Sequence, residues 1–228
     1  LIEIASSKNL VTFVGCNFRF HWGLRLVKKL LDEGKIGRLL SMRSEFGQYL
    51  PDWHPWEDYR QGYSANKSLG GGILLDSIHE VDYVYWMMGS VEAVSCFAGR
   101  LGSLEIDTED TAEILLRFKS GAIASIHMDC LQRAYNRSCA LVGEEGTIHW
   151  SFQDKWVRLY SARDKAWQGF ENEDFKDINE IYIAEMEHFL RCTRGEEHPA
   201  LDASEAKYEL AIVLAAKESS ENGKVIYL

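Results

Sequence analysis

Apolar positions change period along this chain, and the changes mark its elements. In "HWGLRLVKKLLDEGKIG", Leu24, Val27, Leu30 and Leu31 recur at helical spacing with lysines opposite, and Gly34 follows as a stop signal. Upstream, "LIEIASSKNLVTFVGC" reads as the last turns of a helix followed by a buried strand from Leu10 to Cys16. Downstream, "RLLSMRSEFGQYL" reads as a long strand. Between residues 90 and 170 the period becomes two. Ala112, Ile114, Leu116 and Phe118 alternate with Thr111, Glu113 and Arg117, "KSG" marks a hairpin, and Ala122, Ala124, Ile126 and Met128 resume the alternation. About six strands joined by short turns are expected there, as an antiparallel meander with one face packed on helices. Two helices follow, around "INEIYIAEMEHFLRCTRG" and "DASEAKYELAIVLAAKESSENG". Asp202 or Ser204 can cap the second, Gly223 can stop it, and "KVIYL" closes as a short strand.

One segment breaks the ordinary pattern. "LGGGILLDSIHEVDYVYWMMG" is apolar on almost every side, yet it carries Asp76, His79, Glu80 and Asp82. On one helix starting near Gly72, Asp76, His79 and Tyr83 share a stripe. Desolvating several ionisable groups together is costly. The seam is therefore either satisfied by neighbouring loops or part of a site. A histidine beside a carboxylate suits proton transfer. Metal binding wants a third convergent ligand, and none stands out. The preceding loop, "PDWHPWEDYRQGYSANKS", is long for a mere connection and holds Trp53, Trp56, Tyr59 and Tyr63, whose bulk argues against disorder.

Composition narrows the class. The 228 residues are 46% hydrophobic and carry a net charge of −10, so neither a nucleic-acid nor an anionic-membrane surface is expected. No apolar run is long enough to span a bilayer, and "LIEIASSKNL" has no basic region or cleavage site of a secretory leader. Cys16, Cys96, Cys130, Cys139 and Cys192 are odd in number and widely spaced, which reads as buried free thiols in a reducing cytoplasm. His127, His149, His188 and His198 are read as structural or surface groups, His188 lying among Glu185 and Glu187 on a solvated helix face.

The blocks "VGCNFRFHWGLRLVKKLLDEGKIGRLLSMRSEFG" and "GGGILLDSIHEVDYVYWMMG", followed by a meander, resemble the Gfo/Idh/MocA family of NAD(P)-dependent sugar and inositol oxidoreductases. The resemblance covers nearly the whole chain. It implies an α+β fold: a large, predominantly antiparallel open sheet with helices on one face, like the C-terminal domain of dihydrodipicolinate reductase. It departs from the family in two ways. No G-x-G-x-x-G and no Glu-Lys-Pro motif is present, and Asp76 stands three residues before His79 where four is common.

Residues 1–16 then match the end of a Rossmann domain, its last helix turn and strand. Residues 17–228 match the C-terminal substrate-binding and oligomerisation domain. The polypeptide, opening in mid-helix with Leu1, is expected to be a piece of something longer. The resemblance implies that His79 removes a hydroxyl proton, fixed by Asp82, with Asp76 positioning it or the substrate. Asn17 and Arg19 would face the cleft, and Trp53, His54, Trp56 and Tyr59 would wall a sugar. It further implies NAD or NADP for the intact protein, none bound to this part alone, no metal, and a homodimer or homotetramer through the sheet face. The alternative is a non-catalytic sugar-binding or oligomerisation module of the same fold.

Overall fold

The computed structural model describes residues 1–228. Helix α1 (Ile2–Ser7) leads into extended chain and a 3₁₀ turn at Asn17–Phe20, after which α2 (Trp22–Asp32) begins. His21 caps α2, its Nδ1 accepting from the Gly23 amide at 3.1 Å. Strand β1 (Leu39–Gly47) enters the long loop, which is tied into four short 3₁₀ turns between Leu50 and Leu69. Helices α3 (Ile73–Asp76) and α4 (Ile78–Met88) follow. Next come β2 (Val91–Gly99), β3 (Thr111–Phe118), β4 (Ile123–Asp129), β5 (Asn136–Gly143), β6 (Gly146–Ser151), β7 (Trp156–Ser161) and β8 (Ala166–Glu171). Helices α5 (Asn179–Thr193) and α6 (Ala203–Asn222) and the short β9 (Ile226–Tyr227) complete the chain.

All nine strands form one open sheet in the order β8-β7-β6-β5-β1-β4-β3-β2-β9. Every pairing is antiparallel except β1 with β4. The expected meander is thus real on both sides but split by β1, which inserts between β4 and β5. Seven strands, one more than the count expected, lie between Val91 and Glu171.

The alternation decides the two faces. Cys96, Ile114, Ile126, Ser44, Cys139, Trp150 and Val157 are neighbours in register and all buried. The adjacent row, Phe97, Glu113, His127, Glu45 and Ser138, faces the other way. Against the buried face, α6 packs on β2, α4 on β1 and β4, and α2 on β6 and β7. Asp202, not Ser204, caps α6, accepting from the amides of Ser204 and Glu205 at 2.8 and 2.9 Å. Gly223 ends it in the left-handed conformation.

Two expectations need correction. Leu10–Cys16 is extended but pairs with no strand; its ties are the Val14 amide to the Leu201 carbonyl at 3.0 Å and the Ala203 amide to Thr12 Oγ1 at 3.2 Å, and Leu10, Val11 and Val14 are exposed. The mostly apolar run there describes a segment that this chain supplies with no sheet edge. The helix expected from Gly72 onward is two helices. Ser77, at φ −97° and ψ 34°, leaves the helical region and separates α3 from α4, so Asp76 ends one helix and His79 opens the next.

Candidate functional site

Polar groups converge where the Asn17–Phe20 turn meets the first turn of α4. The Phe18 ring packs on the His79 imidazole with centroids 5.6 Å apart. His79 Nδ1 is buried and has no hydrogen-bond partner, and the same holds for Asn17 Oδ1 and Asp76 Oδ2. Burial, with Arg137 adding to it, pushes the His79 pKa down to about 4. The position of His79 in the first turn of α4 acts in the same sense, because the positive end of a helix disfavours an imidazolium. The ring is therefore neutral at pH 7 and able to accept a proton.

Beneath it lies a buried ion pair. Arg137 Nε sits 2.7 Å from Glu80 Oε1, though its N–H does not point at the oxygen. The guanidinium is stacked between Phe18 and Phe46 at 4.0 and 4.1 Å. Glu80 also lies 3.5 Å from the Tyr83 hydroxyl, which meets Ser44 Oγ. Neither Arg137 nor this chain of contacts was legible from sequence spacing, because β5 joins α4 only through the fold.

The carboxylate of Asp82 turns away from His79. Its Oδ1 accepts from Arg19 Nε at 2.8 Å, while Arg19 Nη2 donates to Glu209 at 2.8 Å and Nη1 to the Ala200 carbonyl. The expectation that Asp82 fixes His79 is thus corrected: it holds Arg19. With its donors committed to this network, Arg19 joins the Asn17–Phe20 turn to α4 and α6. Burial, reinforced by Asp82, pushes Glu209 up to about 9. Two carboxyls thus face one guanidinium, and burial beside Asp82 favours the protonated form of Glu209. Cys16, Asp82 and Glu209 have metal-ligand spacing, but the guanidinium between the carboxylates occupies that role.

No hydrogen bond joins Asp76 to His79. Asp76 Oδ1 accepts instead from the Tyr63 hydroxyl. The aromatic residues of the loop divide. Trp53 donates from Nε1 to the Gln48 carbonyl at 3.0 Å and packs on Phe46, while the Tyr59 hydroxyl accepts from the Glu105 amide at 3.2 Å. Both anchor the loop. His54 and Trp56 are exposed and contact each other edge to face at 5.4 Å.

On α5, Glu185 and His188 face the chain instead of solvent, a second correction. Glu185 Oε1 is buried without a partner beside Gly15. His188 packs on Phe13 and Phe20, accepts from the Ala200 amide at 2.9 Å and meets Glu197 at 2.5 Å. His21, from the block "NFRFH", is enclosed by Trp150, Phe152 and Phe175, and burial pushes it down to about 4.

A domain with this open sheet and its covering helices has known counterparts. The profile of the GFO/IDH/MocA C-terminal domain matches residues 24–149, and the chain belongs to that family. It is 29% identical over its full length to myo-inositol 2-dehydrogenase of Thermotoga maritima, covering 67% of that protein. It is 26% identical, over 73% of the chain and 49% of the relative, to levoglucosan dehydrogenase of Pseudarthrobacter phenanthrenivorans. A structure of levoglucosan dehydrogenase in complex with NADH and levoglucosan superposes with a TM-score of 0.85 at 22% identity, covering 96% of this chain and 67% of that one. The chain thus spans about half to two thirds of the length of these relatives. No helix is long and apolar enough to cross a membrane.

Proposed function

We propose that this chain is the substrate-binding and catalytic half of an NAD(P)-dependent oxidoreductase acting on a hydroxyl of a sugar, sugar derivative or cyclic polyol, and inactive alone. The observation that carries the proposal is His79 Nδ1: a buried ring nitrogen without a partner, on a neutral imidazole at the start of α4. Buried polar atoms without partners are costly and rare, and a substrate hydroxyl supplies the missing donor. Similarity to inositol and levoglucosan dehydrogenases supports the substrate class.

In this reading His79 accepts the hydroxyl proton as the carbon loses hydride. The developing carbonyl acidifies that proton, so a weak neutral base suffices. Asn17 Oδ1 and Asp76 Oδ2 offer further acceptors for hydroxyls of the ring, and His54 and Trp56 offer exposed aromatic faces. Arg19 acts at one remove, holding the Asn17 turn. The nicotinamide cofactor, when bound, takes up the hydride. The chain has no glycine-rich pyrophosphate cradle, so these residues fit only the reacting end of that group.

The outer sheet face, with Phe97, Leu115 and Ile123 exposed, is the proposed homo-oligomer surface. The five buried free thiols fit a cytoplasmic setting. The test is oxidation of myo-inositol and levoglucosan by the intact protein, with NAD and NADP supplied in turn. Absence of reduced nicotinamide with every pairing sinks the reading.

A further inference from the structure

Tyr63 lies on the long loop with its side chain exposed, yet its backbone is firmly seated. The Gly72 amide donates to the Ser64 carbonyl at 3.2 Å, and Thr108 Oγ1 donates to the same carbonyl at 3.1 Å. The Asp107 amide donates to the carbonyl of buried Ala65, also at 3.1 Å. A Cβ on Gly71 would fall 2.0 Å from the Tyr63 carbonyl oxygen and 2.7 Å from that of Ser64. The glycine turn before α3 is therefore the bed on which this loop rests. What the seating delivers is the Tyr63 hydroxyl, placed to donate to Asp76 Oδ1.

The consequence is an asymmetric carboxylate. One oxygen of Asp76 has its donor; the other, Oδ2, is buried and has none. The phenol, with its O–H donated to Asp76 in a hydrogen bond, keeps lone pairs free on its own oxygen. Burial and Asp76 push the Tyr63 pKa up to about 12, so the phenol remains the donor throughout the neutral range. Two acceptors, the phenol oxygen and Asp76 Oδ2, then stand one carboxyl group apart. Adjacent hydroxyls on a sugar or cyclitol ring present two neighbouring donors.

We propose that Tyr63 and Asp76 together form a binding element for a vicinal diol of the substrate, Tyr63 occupying Asp76 Oδ1 and leaving Oδ2 as the acceptor whose donor the ligand supplies. The proposal rests on the polyol-oxidising function above. Tyr63 sets affinity and orientation; the proton transfer belongs to His79.

The experiment uses the intact dehydrogenase with myo-inositol as probe, comparing wild type, Tyr63→Phe, Asp76→Asn and the double variant. Tyr63→Phe should raise KM for myo-inositol about tenfold, the scale of one hydrogen bond to a charged group. Its kcat and cofactor KM should stay within about twofold, and its circular dichroism should match wild type, showing that the fold is kept when Asp76 loses its donor. In the Asp76→Asn background the same substitution should add little, because the two residues act as one unit. A KM unchanged by Tyr63→Phe, or effects that simply add, overturns the proposal. Failure of wild type itself to oxidise the probe removes the function on which it rests, and that is read before any variant is compared.

Discussion

Asp82 stands three residues beyond His79 on α4, yet its carboxylate accepts from Arg19 Nε at 2.8 Å and leaves the imidazole alone. Arg19, Asp82 and Glu209 are all buried, and removing one partner weakens the network. Asp82→Ala strips Arg19 Nε of its acceptor and should cost about 1.5–3 kcal/mol, the range for a hydrogen bond to a charged group, with Glu209 left to balance the guanidinium. Glu209→Gln keeps the shape of a protonated carboxyl and should cost less than about 1 kcal/mol at pH 7. Urea unfolding of the two variants measures both. Equal losses would show that Glu209 is ionised in the folded protein.

His79→Ala in the intact enzyme should lower turnover about a hundredfold or more while leaving cofactor KM nearly unchanged, as for loss of a positioned proton acceptor. Steady-state kinetics with myo-inositol reads this. Turnover near wild type would transfer the role to another group.

The depressed His79 pKa also makes a stability prediction. The unfolded chain protonates this ring below about 6.5, whereas the folded chain resists until about 4. The stability held above pH 6.5 is lost as pH falls through that window. It amounts to about 3 kcal/mol by linkage. His21 behaves alike, whereas Glu209, pushed up to about 9, works in the opposite sense as pH rises. The difference between wild type and His79→Gln isolates one group. Wild type should lose about 3 kcal/mol relative to the variant between pH 7 and pH 4. A difference independent of pH would mean that the ring titrates normally.

Much of this arrangement was legible in the sequence, and the failures have physical causes. Period-two alternation from Thr111 to Met128 reports which side chains leave the same face of a strand, and it was read correctly. Alternation says nothing of which strand lies alongside, so the insertion of β1 was invisible. The stripe through Asp76, His79 and Tyr83 assumed a continuous helix, and a single ψ at Ser77 breaks it. Arg137 shares its strand face with the buried Cys139 and Leu141; the groups that make a charge tolerable there, Glu80 and the phenylalanines at positions 18 and 46, lie far off in sequence and meet it only through the fold. Leu10–Cys16 carries strand-like composition with no strand beside it.

Gly71→Ala should unseat the loop, since the new methyl meets backbone oxygens that cannot rotate away. Melting temperature should fall, and trypsin should cut faster at Arg60 and Lys67. Gly70, by contrast, has nothing within 4 Å of its missing Cβ but holds φ at 84°; Gly70→Asn should be milder, since asparagine tolerates the left-handed region. Unchanged proteolysis in Gly71→Ala would mean that the loop does not depend on the glycine turn.

Leu115→Asp places a charge on β3, between the exposed Phe97 and Ile123 strands of the outer sheet face. If that face joins copies of the chain, the mass measured by light scattering should drop to a smaller multiple of 26.1 kDa while the folded signal persists. A mass unaffected by this change and by Phe97→Asp would move the interface elsewhere.

Strand β1 is hydrogen-bonded along both edges, to β4 on one side and to β5 on the other. It is the keel of the sheet, and it is made first. The hairpin arrays β2–β4 and β5–β8 can each zip up locally, but they become one surface only by docking on a strand synthesised some 75 residues or more before either docking edge. Assembly of this domain therefore waits on distant contacts, and such contacts set a slow pace. A break in residues 39–47 would leave two competent half-sheets with nothing to join them.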